Sequence, residues 1–389
     1  MPLFLTNVGR HLYQHRVEIS QAILSRIGEN HRPPPISVSS SAFIDPDEPA
    51  STTCLDRVSS LVESLSQAIC VAEPVLFSDF LHWFSDVLSH QRPTRNAADL
   101  REGLVAVEEV LSALLPANYF DATLPFLSAG RAALRDEHRS ASGKIPASHD
   151  SHPSPLADRY LIRLLASDRR AAREVIATAL RSDMPVHQIY MEILQPALRE
   201  VGRLWQVGQV GTAQEHYCSA ETCAIIARLA FDTAWSAPLL HERAPVVNDG
   251  VVFSLHEKQT PKKFLAACVA GEFHDIGLRM TADLLERAGW NVHYLGANTP
   301  ADAIAAEAAL HGTAIVGLSA TLSTHLNSVA QAIRAVRRHP ACGQTPILVG
   351  GRPFLLAPAL ADRLGASAIA RDARHAVEVA QFLVGAAHS

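Results

Sequence analysis

Cysteine is scarce in this chain. Six are scattered over 389 residues (Cys54, Cys70, Cys218, Cys223, Cys268 and Cys342), with no C-x-x-C pair and no zinc-ligand spacing. That leaves no zinc framework to read and fits a reducing cytosol. Lysine- or arginine-rich runs are absent and the formal net charge is −5, which argues against a nucleic-acid surface. No stretch approaches the ~18 apolar residues of a membrane span. The opening MPLFLTNVGRHLYQHR lacks the long apolar core of a signal peptide. A cytoplasmic protein with no membrane and no nucleic-acid partner is expected. What is present, 48% hydrophobic, 19% charged and 6% aromatic residues, is an ordinary globular mixture, too long for one domain.

Composition divides the chain. SASGKIPASHDSHPSP (140–155) lacks apolar periodicity and reads as a linker, while RPPPISVSSSAFIDPDEPAST (32–52) reads as a long loop inside the first block. Residues 1–139 are helical by pattern, with Val8, Leu12, Ile19, Ile23 and Ile27, then Leu61, Leu65 and Ile69, at helical spacing. Residues 156–235 read as four short-looped helices, an antiparallel bundle, with Pro196 bending the third. A softer break follows. In 250–389, the strand candidates KFLAACVA, WNVHYLG, AIVGLSA, PILVGG and ASAIA alternate with helices, which specifies a doubly wound parallel sheet. The expectation is a multidomain chain: an all-α amino-terminal domain, a four-helix bundle, and an α/β Rossmann-like (flavodoxin-like) domain.

Ligands of such sheets bind outside the carboxyl ends of the strands. GEFHDIGLRM (271–280) stands at that edge, after the first strand. A lone histidine there is ordinarily a satisfied polar residue. Here Glu272 lies two residues before His274, suited to accept a hydrogen bond from one ring nitrogen and raise the basicity of the other, as at metal-bound histidines. Asp275 and Ile276 lead to Gly277, which would let a large ligand approach the backbone. No second protein ligand stands nearby, so a metal at His274 is expected inside a macrocycle with one axial position free.

At this point the chain resembles the cobalamin-binding domains of methionine synthase, corrinoid methyl carriers and coenzyme-B12-dependent mutases, whose signature is D-x-H-x-x-G, then S-x-L or S-x-T, then G-G. Glu272 replaces the aspartate, a chemically mild departure. Ser319-Ala-Thr321 follows Gly277 after 41 residues, and Gly350-Gly351 follows Thr321 after 28 more. The resemblance implies that His274 binds cobalt in place of the cofactor's own benzimidazole. It places the displaced nucleotide tail beside Ser319, Thr321, Gly350 and Gly351.

The helical bundle carries Trp205 and, after nine residues, Glu215-His216. This W-x9-E-H pattern resembles the cap of CarH-type light sensors, which implies adenosylcobalamin with its adenosyl group packed on Trp205 and enclosed by Glu215 and His216. Gln206 departs from that family, which has a cobalt-binding histidine there. Two readings of residues 1–139 remain. One is a helical dimerisation or docking domain with Phe77, Phe80, Trp83 and Phe84 as core. The other, by resemblance to photocobilins, is a domain holding biliverdin, with His82, His90, Arg92 and Arg95 near its propionates. The expected function is a non-enzymatic photoreceptor with light-dependent homo-oligomeric assembly and an unidentified protein partner. The alternative is a corrinoid methyl carrier of a methyltransferase system.

Overall fold

The computed structural model describes residues 2–30, 50–91, 97–135, 154–236, 247–248, 251–252 and 262–386. Of the expected loop 32–52, residues 32–49 lie outside the described residues and 50–52 already belong to a helix; nearly all of the 140–155 linker, Arg92 and Arg95 also lie outside, as do the side chains of Cys54 and His90.

Six helices form the first block: α1 (Pro2–Gln14), α2 (Arg16–Asn30), α3 (Ala50–Cys70), α4 (Pro74–Gln91), α5 (Ala97–Leu114) and α6 (Ala117–Ala133). Val8, Leu12, Ile19, Ile23, Leu65 and Ile69 are all buried, so the helical spacing marks a true core face. The aromatic run splits. Phe77 is buried, while Phe80, Trp83 and Phe84 form a contiguous ring cluster with Trp83 at the surface.

The bundle comprises α7 (Pro155–Leu165), α8 (Arg169–Arg181), a third rod and α11 (Thr212–Ser236). Ser154 and Asp168 start α7 and α8 by accepting from the backbone N–H of Leu156 and Ala171. The third rod runs as α9 (Val186–Gln188), a π turn (Ile189–Leu194) and α10 (Gln195–Gln206). Pro196 explains the π turn. Lacking an N–H, it cannot bond the Glu192 carbonyl four residues back, and that carbonyl instead accepts from Ser154 N at 3.1 Å.

A two-residue hairpin, β1 (Val247–Asn248) with β2 (Val251–Val252), precedes the α/β domain. There β3 (Lys263–Val269), α12 (Ile276–Arg287), β4 (Asn291–Thr299), α13 (Ala301–His311), β5 (Ile315–Ser319), α14 (Leu326–Arg338), β6 (Ile347–Gly350), α15 (Arg352–Leu356), α16 (Leu360–Leu364), β7 (Ala368–Ala370) and α17 (Ala373–Ala386) follow in order. All five strand candidates are strands. The sheet is parallel with order β4-β3-β5-β6-β7, the flavodoxin-like arrangement. Central β3 is buried after its first residue, as a strand covered on both faces must be.

The helical blocks pack on this domain. The bundle shares an apolar cluster with Met280 and Leu284 of α12 and Ala373 of α17. Tyr190 of the bundle donates to the buried Asp283 at 2.7 Å, which also pairs with Arg287. The first block shares another cluster with Leu326, Phe354 and Leu360. It is tied further by a bidentate pair, Arg352 to Asp79 (2.5 and 2.9 Å), and by Arg363, which bonds Glu73 and the Val71 carbonyl.

Candidate functional site

Strand order reverses between β3 and β5, and a doubly wound sheet opens its crevice there. The turn after β3 carries Glu272 and His274, and the turn after β5 carries Thr321. In the β5–β6 register Ser319 lies opposite Gly350. The three sequence elements separated by dozens of residues thus meet at one end of the sheet.

Glu272 is the hub. Its carboxylate is fully buried. Oε1 takes the backbone N–H of His274 (2.8 Å) and pairs with Nδ1 of the same ring (2.5 Å). Oε2 accepts from the backbone N–H of Thr321 and pairs with Nδ1 of His325 at 3.1 Å. Burial alone raises a carboxyl pKa, but hydrogen bonds from the His274 ring, His325 and the two backbone N–H groups outweigh it and hold Glu272 well below the carboxylate range. The hydrogen bond to Glu272 raises the His274 pKa above its usual value against the opposing effect of burial, with a smaller electrostatic contribution from Glu215 of the bundle.

His274 keeps 61% of its side chain exposed, so with Nδ1 turned to Glu272 its other nitrogen remains for a ligand. Open space surrounds the position where Gly277 would carry a Cβ, and Phe273 and Leu322 are exposed apolar residues flanking the turns. A metal-centred macrocycle that brings its own equatorial ligands matches this: one imidazole, uncovered apolar surface, and no second donor from the chain on the Glu272–His274 turn.

The remaining expected residues divide by geometry. Asp275 is occupied locally, accepting from Tyr294 OH at 2.7 Å and pairing with Arg279 at 3.1 Å, so it braces the turn. Ser319 hydrogen-bonds the thiol of Cys268, which burial pushes up to about 12. Gly351 has φ +116°, and a Cβ there would lie 1.9 Å from the Ala320 carbonyl oxygen. Only glycine fits, because β5 and β6 end in backbone contact. Gly350 makes no such demand, since its Cβ would meet the Ala370 carbonyl at an ordinary 3.5 Å. In the bundle, Trp205 Nε1 donates to Thr212 Oγ1 at 3.3 Å. Glu215 engages one oxygen with His216 (2.7 Å) and the other with Ser219 (2.6 Å), all on α11.

His325 is the residue that motif reasoning missed. It sits in the 3-10 turn Ser323–His325, 53 residues from Glu272, and no local spacing announces it. Its position four residues after Thr321 is the available signal, since a turn that returns to Glu272 must pass through it.

Comparison with known proteins adds an independent line. Residues 262–380 match the family described as B12 binding domain, and residues 156–230 match a second family of the same description. A corrinoid protein of Desulfitobacterium hafniense is 31% identical over 131 residues, covering 34% of this chain and 60% of that protein. Dimethylamine corrinoid protein 2 of Methanosarcina mazei is 30% identical over 116 residues, covering 30% and 53%. Dimethylamine corrinoid protein 3 of the same organism is 30% identical over 116 residues, covering 30% and 68%. The chain thus spans about half to two thirds of the length of these curated relatives. Among solved structures, the monomethylamine corrinoid protein of Methanosarcina barkeri pairs 98% of its length with 59% of this chain, at 18% identity and a TM-score of 0.47.

These relatives correct the expectation of a photoreceptor. They are corrinoid proteins, two of them named for dimethylamine, so the W-x9-E-H pattern does not specify a light sensor. Gln206, moreover, offers no imidazole where the light-sensor family has its cobalt-binding histidine. Biliverdin and light-dependent assembly rested on that expectation and are not shown by these relatives; His82, one of the expected propionate partners, bonds the Ala133 carbonyl at 3.0 Å. Cobalamin binding stands. Matched in both of its carboxyl-terminal blocks and 30% identical to a relative of which it covers 68%, the chain belongs to the B12-binding corrinoid protein family.

Proposed function

We propose that this chain is the corrinoid carrier of a methyltransferase system, not itself a catalyst, passing a methyl group between two partner enzymes. One observation carries the reading: a solvent-facing imidazole pinned by a fully buried carboxylate at the switch point of a flavodoxin-like sheet. Bound cobalamin supplies a cobalt centre that takes up a methyl group and gives it up again. The residues of the chain hold and orient it. His274 would hold the cobalt, and Glu272 would fix its ring and keep electron density on the coordinating nitrogen. Ser319, Thr321, Gly350 and Gly351 border the nucleotide tail, while Asp275, Ile276 and Gly277 form the rim where α12 begins. Trp205, Glu215 and His216 would border the bound cofactor from the bundle, where an indole would exclude water from the transferred group. The assigned parts are 156–235 as cap and 250–389 as cofactor domain, joined through 140–155 to a docking block, 1–139.

The test is transfer itself. Holoprotein carrying a radiolabelled methyl group is mixed with corrinoid-dependent methyltransferases and a thiol acceptor. Label should reach the thiol much faster than from free methylcobalamin. Equal rates from carrier and free cofactor, with enzymes for mono-, di- and trimethylamine and for methanol, would overturn the proposal.

A further inference from the structure

At the opposite end of the sheet domain a second donor cluster stands apart from the His274 site. His293 lies near the start of edge strand β4, and Glu307 and His311 sit one turn apart near the end of α13. Five residues of strand, about 16 Å at ~3.3 Å per residue, separate His293 from Asn298, which bonds the Gly271 turn beside Glu272. The cofactor site and this cluster are therefore distinct places in the fold.

Both imidazoles converge on one oxygen. His293 Nε2 lies 3.1 Å and His311 Nε2 3.2 Å from Glu307 Oε2. The two rings stand 4.2 Å apart between centroids, tilted by 44°. One donor atom from each residue lies within 4.8 Å of the others, and all three side chains are a little over a third exposed. Zinc bonds of about 2.0–2.1 Å at tetrahedral angles set neighbouring donors about 3.3 Å apart. The cluster is already near that spacing. Crowding two imidazoles against one carboxylate at a solvent-accessible edge creates a focus of donors with a single negative charge, which suits a divalent cation of borderline softness.

We propose that His293, Glu307 and His311 bind one zinc-class divalent cation per chain, with water in the fourth position. The cation clamps α13 to β4. Among the described residues β4 is an edge strand with β3 as its one neighbour, and a metal crosslink adds a fixed point between that strand and the helix after it. The site is independent of the methyl-carrier reading and survives its failure.

The experiment uses full-length, cobalamin-loaded protein stripped with chelator and titrated with zinc against a chromogenic competitor. One equivalent should bind well above the background of the chain's 19 histidines, and the melting temperature should rise with it. His293→Ala, His311→Ala and Glu307→Gln should each weaken uptake by more than about 10-fold, the lower end of what loss of a mere outer partner costs, and should abolish the thermal shift. Cobalamin content and circular dichroism confirm that each variant is folded. X-ray absorption on the zinc-loaded wild type should show two imidazoles bonded to the metal, a readout that needs no variant. Uptake no stronger in wild type than in the His293→Ala/His311→Ala double variant, or absorption data lacking imidazole ligands, overturns the proposal.

Discussion

The ring of His325 lies 3.1 Å from the buried carboxylate of Glu272, on the oxygen opposite to the one that holds His274. Glu272 therefore couples two imidazoles. One faces the candidate cofactor site, and the other sits on a turn packed by α3 of the first block.

A graded series of ligation defects follows. His274→Ala should lose the lower ligand and leave benzimidazole-bound or water-ligated cobalamin, visible in the absorption spectrum of the holoprotein. Glu272→Ala should weaken cobalamin retention by about 10–100-fold. His325→Ala should do the same to a smaller degree, because Glu272 keeps its bonds to His274 and the Thr321 backbone. An unchanged spectrum and affinity in His274→Ala would falsify the assignment.

The same pair fixes a pH dependence. The folded-state pKa of His274 lies above 6.5, so its imidazolium is favoured and competes with cobalt ligation. Ligation competes with the proton, so falling pH should displace His274 from cobalt at a value below its metal-free pKa, and Glu272→Gln should move that transition lower still. For stability the signs oppose. The His274 contribution is fully present below pH 6.5 and is lost as pH rises through the raised pKa. The Glu272 contribution is present above 4.5 and is lost as pH falls towards its depressed value. Imidazole NMR titration of the corrin-free protein, with acid unfolding of Glu272→Gln alongside, checks both limbs.

Gly351→Ala tests the backbone contact between strand ends. A Cβ at 1.9 Å from the Ala320 carbonyl, at φ +116°, forces β5 and β6 apart. A loss of at least about 1–3 kcal/mol is expected from the dihedral strain alone, measured by chemical denaturation, together with reduced cobalamin retention. Gly350→Ala, an ordinary contact, should cost less. Equal costs would show that the strand ends tolerate separation.

Much of this site was legible before any coordinates. Apolar strands interrupted by helices announce a parallel sheet, and the residues at strand ends share one edge because parallel strands share one direction. Glu272 and His274 could be read from their own spacing at that edge, and the resemblance to cobalamin-binding domains added Ser319, Thr321, Gly350 and Gly351. The cap pattern misled on function: Trp205, Glu215 and His216 sit on bundle helices that match a B12 binding domain family as a whole, so the motif does not single out a light sensor.

What the sequence by itself determined is everything carried by local period and short motif: the helical blocks, the succession of strands and helices in the α/β domain, and the imidazole with its carboxylate two residues away. Tertiary structure alone decided the relations between distant segments. The 3-10 turn brings His325 back to Glu272 across 53 residues, and Arg352 reaches Asp79 across 273. His293 meets Glu307 only because a strand and the helix after it fold antiparallel to one another. Sequence spacing encodes neighbours along an element through its fixed rise per residue, whereas contacts between elements depend on how apolar faces pack, and no single segment records that.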